Sequence, residues 1–303
     1  MPELMDVPAP SAGAGQVLVR LRAASYNPFD LKAVDGILKD VVPHRFPMIL
    51  GTDGAGEVEM IGEGVTGFRP GERVYGQFLH LARGLGSYAE YGVVDAAGPL
   101  AKMPEGMLFE QAAAVPTASM TAHTLIEAAR VDEGQTVLIV GATGGVGQSA
   151  IQLAADQGAA VIATAPADEA DVLRYLGAAE TVDHTAGPVA DQVLAAHPNG
   201  VDAVLDLVSP PDRIASVASV VRPGGAIAST IGALDPDTLA AREIRAVNVQ
   251  TAASGRLLGI LADMVDSDRL RIRIQAQVPL ADTPALLKDI RTAPARGKTV
   301  ITI

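Results

Sequence analysis

Two kinds of hydrophobic patterning follow one another along the chain. Residues 16–23 alternate apolar and polar side chains, which predicts a strand with one buried face. Short apolar runs broken by glycine at 51–59, 71–76 and 86–94 predict further strands, and at this spacing they point to a small barrel-like fold. From Phe109 the period becomes helical, with alanine-rich stretches at 111–114 and 118–129. Four apolar residues, Val137 to Val140, then predict a buried strand, and Val146, Ala150, Ile151, Leu153 and Ala154 follow at helical spacing. A second buried strand is predicted at 160–163. Beyond it strands at 180–183, 202–207, 226–230 and 247–251 alternate with helices at 189–196 and 211–220, the pattern of a doubly wound parallel α/β sheet. Residues 254–266 form an amphipathic helix, with Leu257, Leu258, Leu261, Met264 and Val265 on one face. The tail predicts strands at 271–278 and 299–303 around a helix at 284–292. The simplest arrangement returns this tail to the first domain, giving one domain of 1–106 with 255–303 and a second of 107–254, with a ligand expected in the cleft between them.

The turn after the first buried strand carries the chemistry. It reads Gly141-Ala142-Thr143-Gly144-Gly145-Val146-Gly147, between a strand and a helix. Without a side chain, Gly144 lets the backbone touch a pyrophosphate, and Gly147 lets the helix pack on the strand. The free N–H groups and positive dipole end of the helix suit an anion. Strand, glycine turn, helix and strand together form a dinucleotide-binding βαβ unit, with Ala142 where the strict fingerprint has its first glycine. A plain structural turn is the alternative. The second strand ends Ile162-Ala163-Thr164-Ala165-Pro166, without the carboxylate that grips an NAD ribose. This favours NADP, although no Arg or Lys stands there and Asp168 and Glu169 follow closely.

Composition narrows the partners. The 303 residues are 49% hydrophobic, enough for two packed cores. A net charge of −12 without any Lys/Arg run argues against nucleic acid. Cysteine is absent, which removes disulfides, a thiol nucleophile and thiolate zinc sites. Residues 134–155 are uncharged and approach a membrane span in length, but their glycines, glutamines and nucleotide fingerprint favour a water-soluble domain. The N-terminal residues lack a positive n-region and an apolar core, so no signal peptide is expected and a cytoplasmic location is. None of the five tyrosines has a lysine four residues on, and no Gly-x-Ser-x-Gly elbow exists, which excludes short-chain reductase and hydrolase chemistry.

Several segments, in order, resemble one family: Ala23-Ala-Ser-Tyr-Asn27-Pro28-Phe-Asp30, Ile49-Leu-Gly51-Thr-Asp53-Gly-Ala-Gly56, Gly67-Phe-Arg-Pro-Gly71-Glu-Arg-Val-Tyr75-Gly, Gly86-Ser-Tyr-Ala-Glu-Tyr, Thr121-Ala122, the glycine turn, Leu176-Gly-Ala178 and Ala295-Arg-Gly297-Lys298. The sequence resembles the zinc-free quinone oxidoreductase branch of the medium-chain dehydrogenase/reductase superfamily. The resemblance implies a GroES-like catalytic domain, a Rossmann domain, NADPH and a homodimer. It also implies one more N-terminal strand than this chain carries. The zinc branch places a Cys near Asn27 and a Gly-His-Glu where this chain has Gly51-Thr52-Asp53, and the five histidines show no paired ligand spacing, so no catalytic zinc is expected.

By the same resemblance Asn27 and Thr121 are catalytic and cofactor-binding candidates beside the nicotinamide. The bland alternatives are an Asn-Pro turn residue and a satisfied helix threonine. Thr143, Gly144, Gly145, Val146 and Gly147 are expected at the diphosphate, Thr164 at the adenosine ribose and Lys298 at the cofactor. His184 stands where relatives often have a tyrosine; it is either a phosphate contact or a solvated loop histidine. Ala167 replaces a phosphate-binding lysine, and Leu38 replaces the tyrosine that enone and enoyl-thioester reducers often carry. Quinones are electrophilic already and take their proton from water, so the loss of that tyrosine tilts the expected substrate toward a quinone or reactive enone. A non-catalytic NADPH-binding redox sensor or structural protein and an enoyl-thioester reductase are the alternatives.

Overall fold

The structure is a computed structural model, and it describes residues 2–292 and 294–303. The chain forms two compact units. The first comprises residues 1–120, 253–267 and 272–303; the second comprises 121–252 and 268–271.

The first unit begins with β1 (Gln16–Ser25), α1 (Pro28–Val34), β2 (Asp53–Ile61), β3 (Arg73–Gln77), β4 (Tyr91–Asp95), β5 (Leu100–Lys102) and α2 (Phe109–Ala114). Alternation along β1 buries Val17, Val19 and Leu21 with Val58, Phe78 and Val94 in one core. Pro116 starts α3 (Pro116–Ala129), where a proline costs nothing because the first helical N–H has no intrahelical partner. The second unit continues with β6 (Thr136–Val140), α4 (Gly145–Asp156), β7 (Ala160–Thr164), α5 (Ala170–Tyr175), β8 (Glu180–Val182), α6 (Val189–Ala196), β9 (Val201–Asp206), α7 (Ile214–Ala218), β10 (Val221–Ser229), α8 (Pro236–Ala240) and β11 (Arg245–Asn248). The chain then returns to the first unit through α9 (Gly255–Asp266), β12 (Ile274–Pro279), α10 (Thr283–Asp289) and β13 (Lys298–Thr302).

In the first unit the sheet runs β12-β13-β1-β2-β3-β5, with β4 also paired to β1. β1 is thus flanked on one side by β2. Its other partners divide it: β4 pairs along Gln16–Arg20 and β13 along Ala23–Ser25. The Ser254 hydroxyl accepts the Leu257 N–H and caps α9, whose Leu257, Leu258, Leu261 and Met264 are buried. Each such side chain contributes about 1.5–3 kcal/mol of apolar burial. In the second unit six parallel strands run β11-β10-β9-β6-β7-β8. Their core contains Leu138, Ile162, Val193, Val204 and Ile227. The chain order reverses between β6 and β9, which is the switch point where such sheets receive ligands. No described helix is long and apolar enough to cross a membrane.

The observed elements depart from the sequence pattern in a few places. Residues 86–90 are not strand. Ser87 N–H donates to the Gly51 carbonyl and Tyr88 N–H to that of Leu50, so this segment is held by a loop and β4 begins only at Tyr91. The helix expected at 211–220 is confined to Ile214–Ala218, after Pro210 and Pro211. The tail strand starts at Ile274 rather than at 271. α1, α5 and α8, of five to seven residues, are too short to show a period.

Candidate functional site

In the second unit the glycine turn lies at the end of β6. Gly141 adopts φ +88°. A Cβ at Gly147 would come within 2.5 Å of the Ala142 Cα and the Gly141 carbonyl oxygen, so α4 starts directly on the turn only because that residue is glycine. Three bonds hold the loop from behind: the Gly141 N–H donates to Thr164 Oγ1 at 3.0 Å, the Gln148 amide donates to the Thr143 carbonyl at 2.7 Å, and the Leu207 N–H donates to the Val140 carbonyl at 3.1 Å. Gly144 is the N-cap of α4, and no side chain caps it among the described residues. The first-turn N–H groups of Gly145, Val146 and Gly147 therefore stay open for an anion. This donor set fits a nucleotide diphosphate.

Other predicted residues of this unit are spread around it. Thr164 is buried at the end of β7 with its oxygen already accepting from Gly141. Thr121 is buried, and its hydroxyl lies 2.7 Å from that of Thr251. His184 is exposed in the loop after β8. Asp206, at the end of β9, is fully buried and accepts from the Ser209 N–H and the Ser229 hydroxyl, bracing the neighbouring strand ends.

The first unit concentrates its polar groups around Asn27. Asn27 is the N-cap of α1, and its own N–H donates to Asp30 Oδ2 at 2.8 Å. Its side chain serves a different purpose: Nδ2 donates to Asp53 Oδ2 at 2.9 Å, and Oδ1 accepts from Lys298 Nζ at 2.6 Å. Lys298 also donates to the Tyr26 carbonyl at 2.7 Å and lies 3.9 Å from Asp53 Oδ2. Asp53, fully buried, accepts from the Thr117 N–H and hydroxyl as well. The Asn27 amide and the Thr117 N–H and hydroxyl all donate to the Asp53 carboxylate, which is the arrangement of an ionised carboxylate facing a buried ammonium. Burial pushes the Asp53 carboxyl up and the Lys298 ammonium down, and the charge of each opposes the other's shift.

Asp30 sits beside this pair. Its oxygens accept from the Thr52 hydroxyl at 2.7 Å and the Tyr88 hydroxyl at 2.8 Å. Burial pushes its carboxyl up to about 6; the bonds from Thr52, Asn27 and Tyr88 hold it from rising further, while the charge of Asp53 adds to the rise. Burial also raises the Tyr88 hydroxyl, and it moves that of Tyr26 to about 12. The structure thus brings Asn27 and Lys298 into one hydrogen-bonded cluster. It adds Asp30, Thr52, Asp53, Tyr88 and Thr117, which sequence reasoning did not assign. The Asn27-x-x-Asp30 spacing of a capping box was the available signal for one of them.

These residues do not fit a zinc ion. The chain has no cysteine, and no group of three or more His, Asp or Glu converges among the described residues. The oxygens of Asn27 and Asp53 already face Thr117 and the ammonium of Lys298.

Comparison with known proteins agrees with this geometry. The alcohol dehydrogenase GroES-like domain family matches residues 13–105, and the zinc-binding dehydrogenase family matches residues 176–301. A chloroplastic quinone oxidoreductase of Triphysaria versicolor is 35% identical over 212 residues, covering 68% of this chain and 63% of the relative. The chain spans 56% to 63% of the length of the first relatives it matches. Among solved structures, the quinone oxidoreductase of Coxiella burnetii superposes with a TM-score of 0.84 at 31% identity, covering 99% of this chain and 94% of that one. A mycobacterial protein complexed with NADPH superposes with a TM-score of 0.85 at 26% identity, with coverage of 99% and 94%. The chain belongs to the quinone oxidoreductase branch of the medium-chain dehydrogenase/reductase superfamily.

Proposed function

We propose that this oxidoreductase uses NADPH to reduce a quinone or a reactive enone, without zinc. The observation that carries the reading is the uncapped start of α4 at the switch point of a parallel sheet. Thr143, Gly144, Gly145, Val146 and Gly147 take the diphosphate, with Thr164 and His184 toward the adenosine end. Asn27, Thr121 and Lys298 are assigned to the nicotinamide end. A reduced nicotinamide supplies the hydride, and the protein's share is orientation. Asp53 and Lys298 hold the Asn27 amide in one orientation. The donor set supports zinc independence, and the missing carboxylate after β7 supports NADP. The name of the Triphysaria relative and the NADPH in the mycobacterial structure point the same way. Leu38, at the position of the tyrosine, favours acceptors that need no placed acid.

The test is turnover. Incubation with NADPH or NADH and a panel of quinones, enones and enoyl thioesters is expected to consume NADPH faster than NADH, with quinones as the best acceptors. Tight NADPH binding without turnover on any acceptor would instead favour a redox sensor, a reading that the fully engaged amide of Asn27 also accommodates. The proposed homodimer is checked by sedimentation in the same buffer.

A further inference from the structure

We propose that the second unit carries a phosphate-group site, separate from the glycine turn, in which Arg130, Arg222 and Arg245 surround a cavity of about 200 Å³. The ligand class is a small phosphate or phosphomonoester.

The cavity lies where the parallel strands begin. Gln135 precedes β6, Asp202 is the second residue of β9, Arg222 the second of β10, Arg245 the first of β11, and Arg130 follows the end of α3. The glycine turn is at the other end of β6, roughly 15 Å away at a strand's rise per residue. The two positions therefore cannot share one diphosphate.

The charge of the cavity is not balanced by its own residues. Arg222 pairs with Asp202 Oδ1 at 2.5 Å, and the other oxygen of Asp202 accepts the Thr136 N–H at 2.7 Å. Among the described residues neither Arg130 nor Arg245 has a carboxylate partner. Arg245 donates one N–H to the Ala128 carbonyl, which closes the end of α3 and leaves four of its five donors for other partners. Burial lowers the pKa of its guanidinium, and the neighbouring charge of Arg130 lowers it further. Three guanidiniums against one carboxylate leave two positive charges in excess, in a protein whose net charge is −12. A phosphate group of about −2 matches that excess and accepts from planar guanidinium forks. Arg130 itself has φ +50°, the left-handed residue of a helix C-cap: the Val131 N–H donates to the Ile126 carbonyl at 3.1 Å and closes α3.

Calorimetric titration of the full chain distinguishes the outcomes. Inorganic phosphate and glycerol 3-phosphate are added in turn, with chloride of matched ionic strength as the control, in the absence and presence of saturating NADPH. The expected result is a saturable heat that NADPH leaves unchanged. Arg130→Gln and Arg245→Gln are each expected to weaken it about tenfold, the loss of one charge-assisted contact. Arg130 is exposed, so its substitution keeps the fold, and circular dichroism checks both variants. Equal affinity for the two probes assigns the site to free phosphate, and tighter binding of the ester assigns it to a phosphorylated metabolite. No saturable heat beyond the chloride control, or unchanged affinity in both variants, overturns the proposal. So does a heat that NADPH abolishes, since the anion then sits at the glycine turn. The readout does not depend on turnover, so the proposed reductase activity and this site fail separately.

Discussion

The surroundings of Asn27 and the start of α4 reach preorganisation by opposite means. Around Asn27 nearly every polar atom is matched by another side chain, and two carboxylates and an ammonium are buried together. At the glycine turn the side chains are small or absent, and the donors that matter belong to the backbone. The first arrangement keeps its shape by charge and hydrogen bonding and so responds to protons. The second keeps its shape by close packing and so responds to volume. The difference teaches where each kind of damage will be felt.

The largest effect is expected from Lys298→Met. It strips a buried cation from beside Asp53, and breaking a buried pair in this way costs about 3–5 kcal/mol. Urea unfolding measures the loss. Adding Asp53→Asn should recover part of it, and simple additivity of the two substitutions would show that the pair is not coupled.

Next comes pH. Asp30 titrates at about 6 in the folded chain against 3.8 when free. The folded state therefore holds a proton that the unfolded state has released between those values. The stability tied to this group is present below pH 3.8 and is lost as pH rises toward 6, by about 3 kcal/mol in total. Stability measured across that window should flatten in Asp30→Asn, and an unchanged slope in that variant would assign the dependence to another group.

Gly147→Ala should cost about 1–3 kcal/mol through overpacking against Ala142 and Gly141, and it should abolish NADPH binding in calorimetry. Unlike the first two changes, its cost should not vary between pH 4 and 6. The smallest effect is expected from Thr121→Val, which removes one buried hydroxyl pair worth about 1 kcal/mol. A fall in kcat larger than the fall in stability would place the Thr121 hydroxyl at the reaction rather than in the packing.

The glycine turn was legible in the sequence because its physics is local: the strand, the bare corner and the helix are contiguous from Thr136 to Asp156. The alternation of β1 and the amphipathic face of α9 were legible for the same reason. The Asn27 cluster was not, because its members come from residues 27, 53, 117 and 298 and meet only after β1, β2 and β13 have paired. The loop at 86–90 was misread as strand because its hydrogen-bond partners are Leu50 and Gly51, which no periodicity within the loop reveals. The charge excess of the arginine cavity was hidden in the same way, since its arginines stand at positions 130, 222 and 245.

The divided pairing of β1 has a consequence for the order of assembly. Ala23, Ala24 and Ser25 find their partners at Thr302, Ile301 and Val300, far along the chain. The six parallel strands, by contrast, all fall between positions 136 and 248, so each is made before residues 300–302 are. The parallel sheet can thus complete its pairing during synthesis before the antiparallel sheet can, and the Asn27 cluster awaits Lys298.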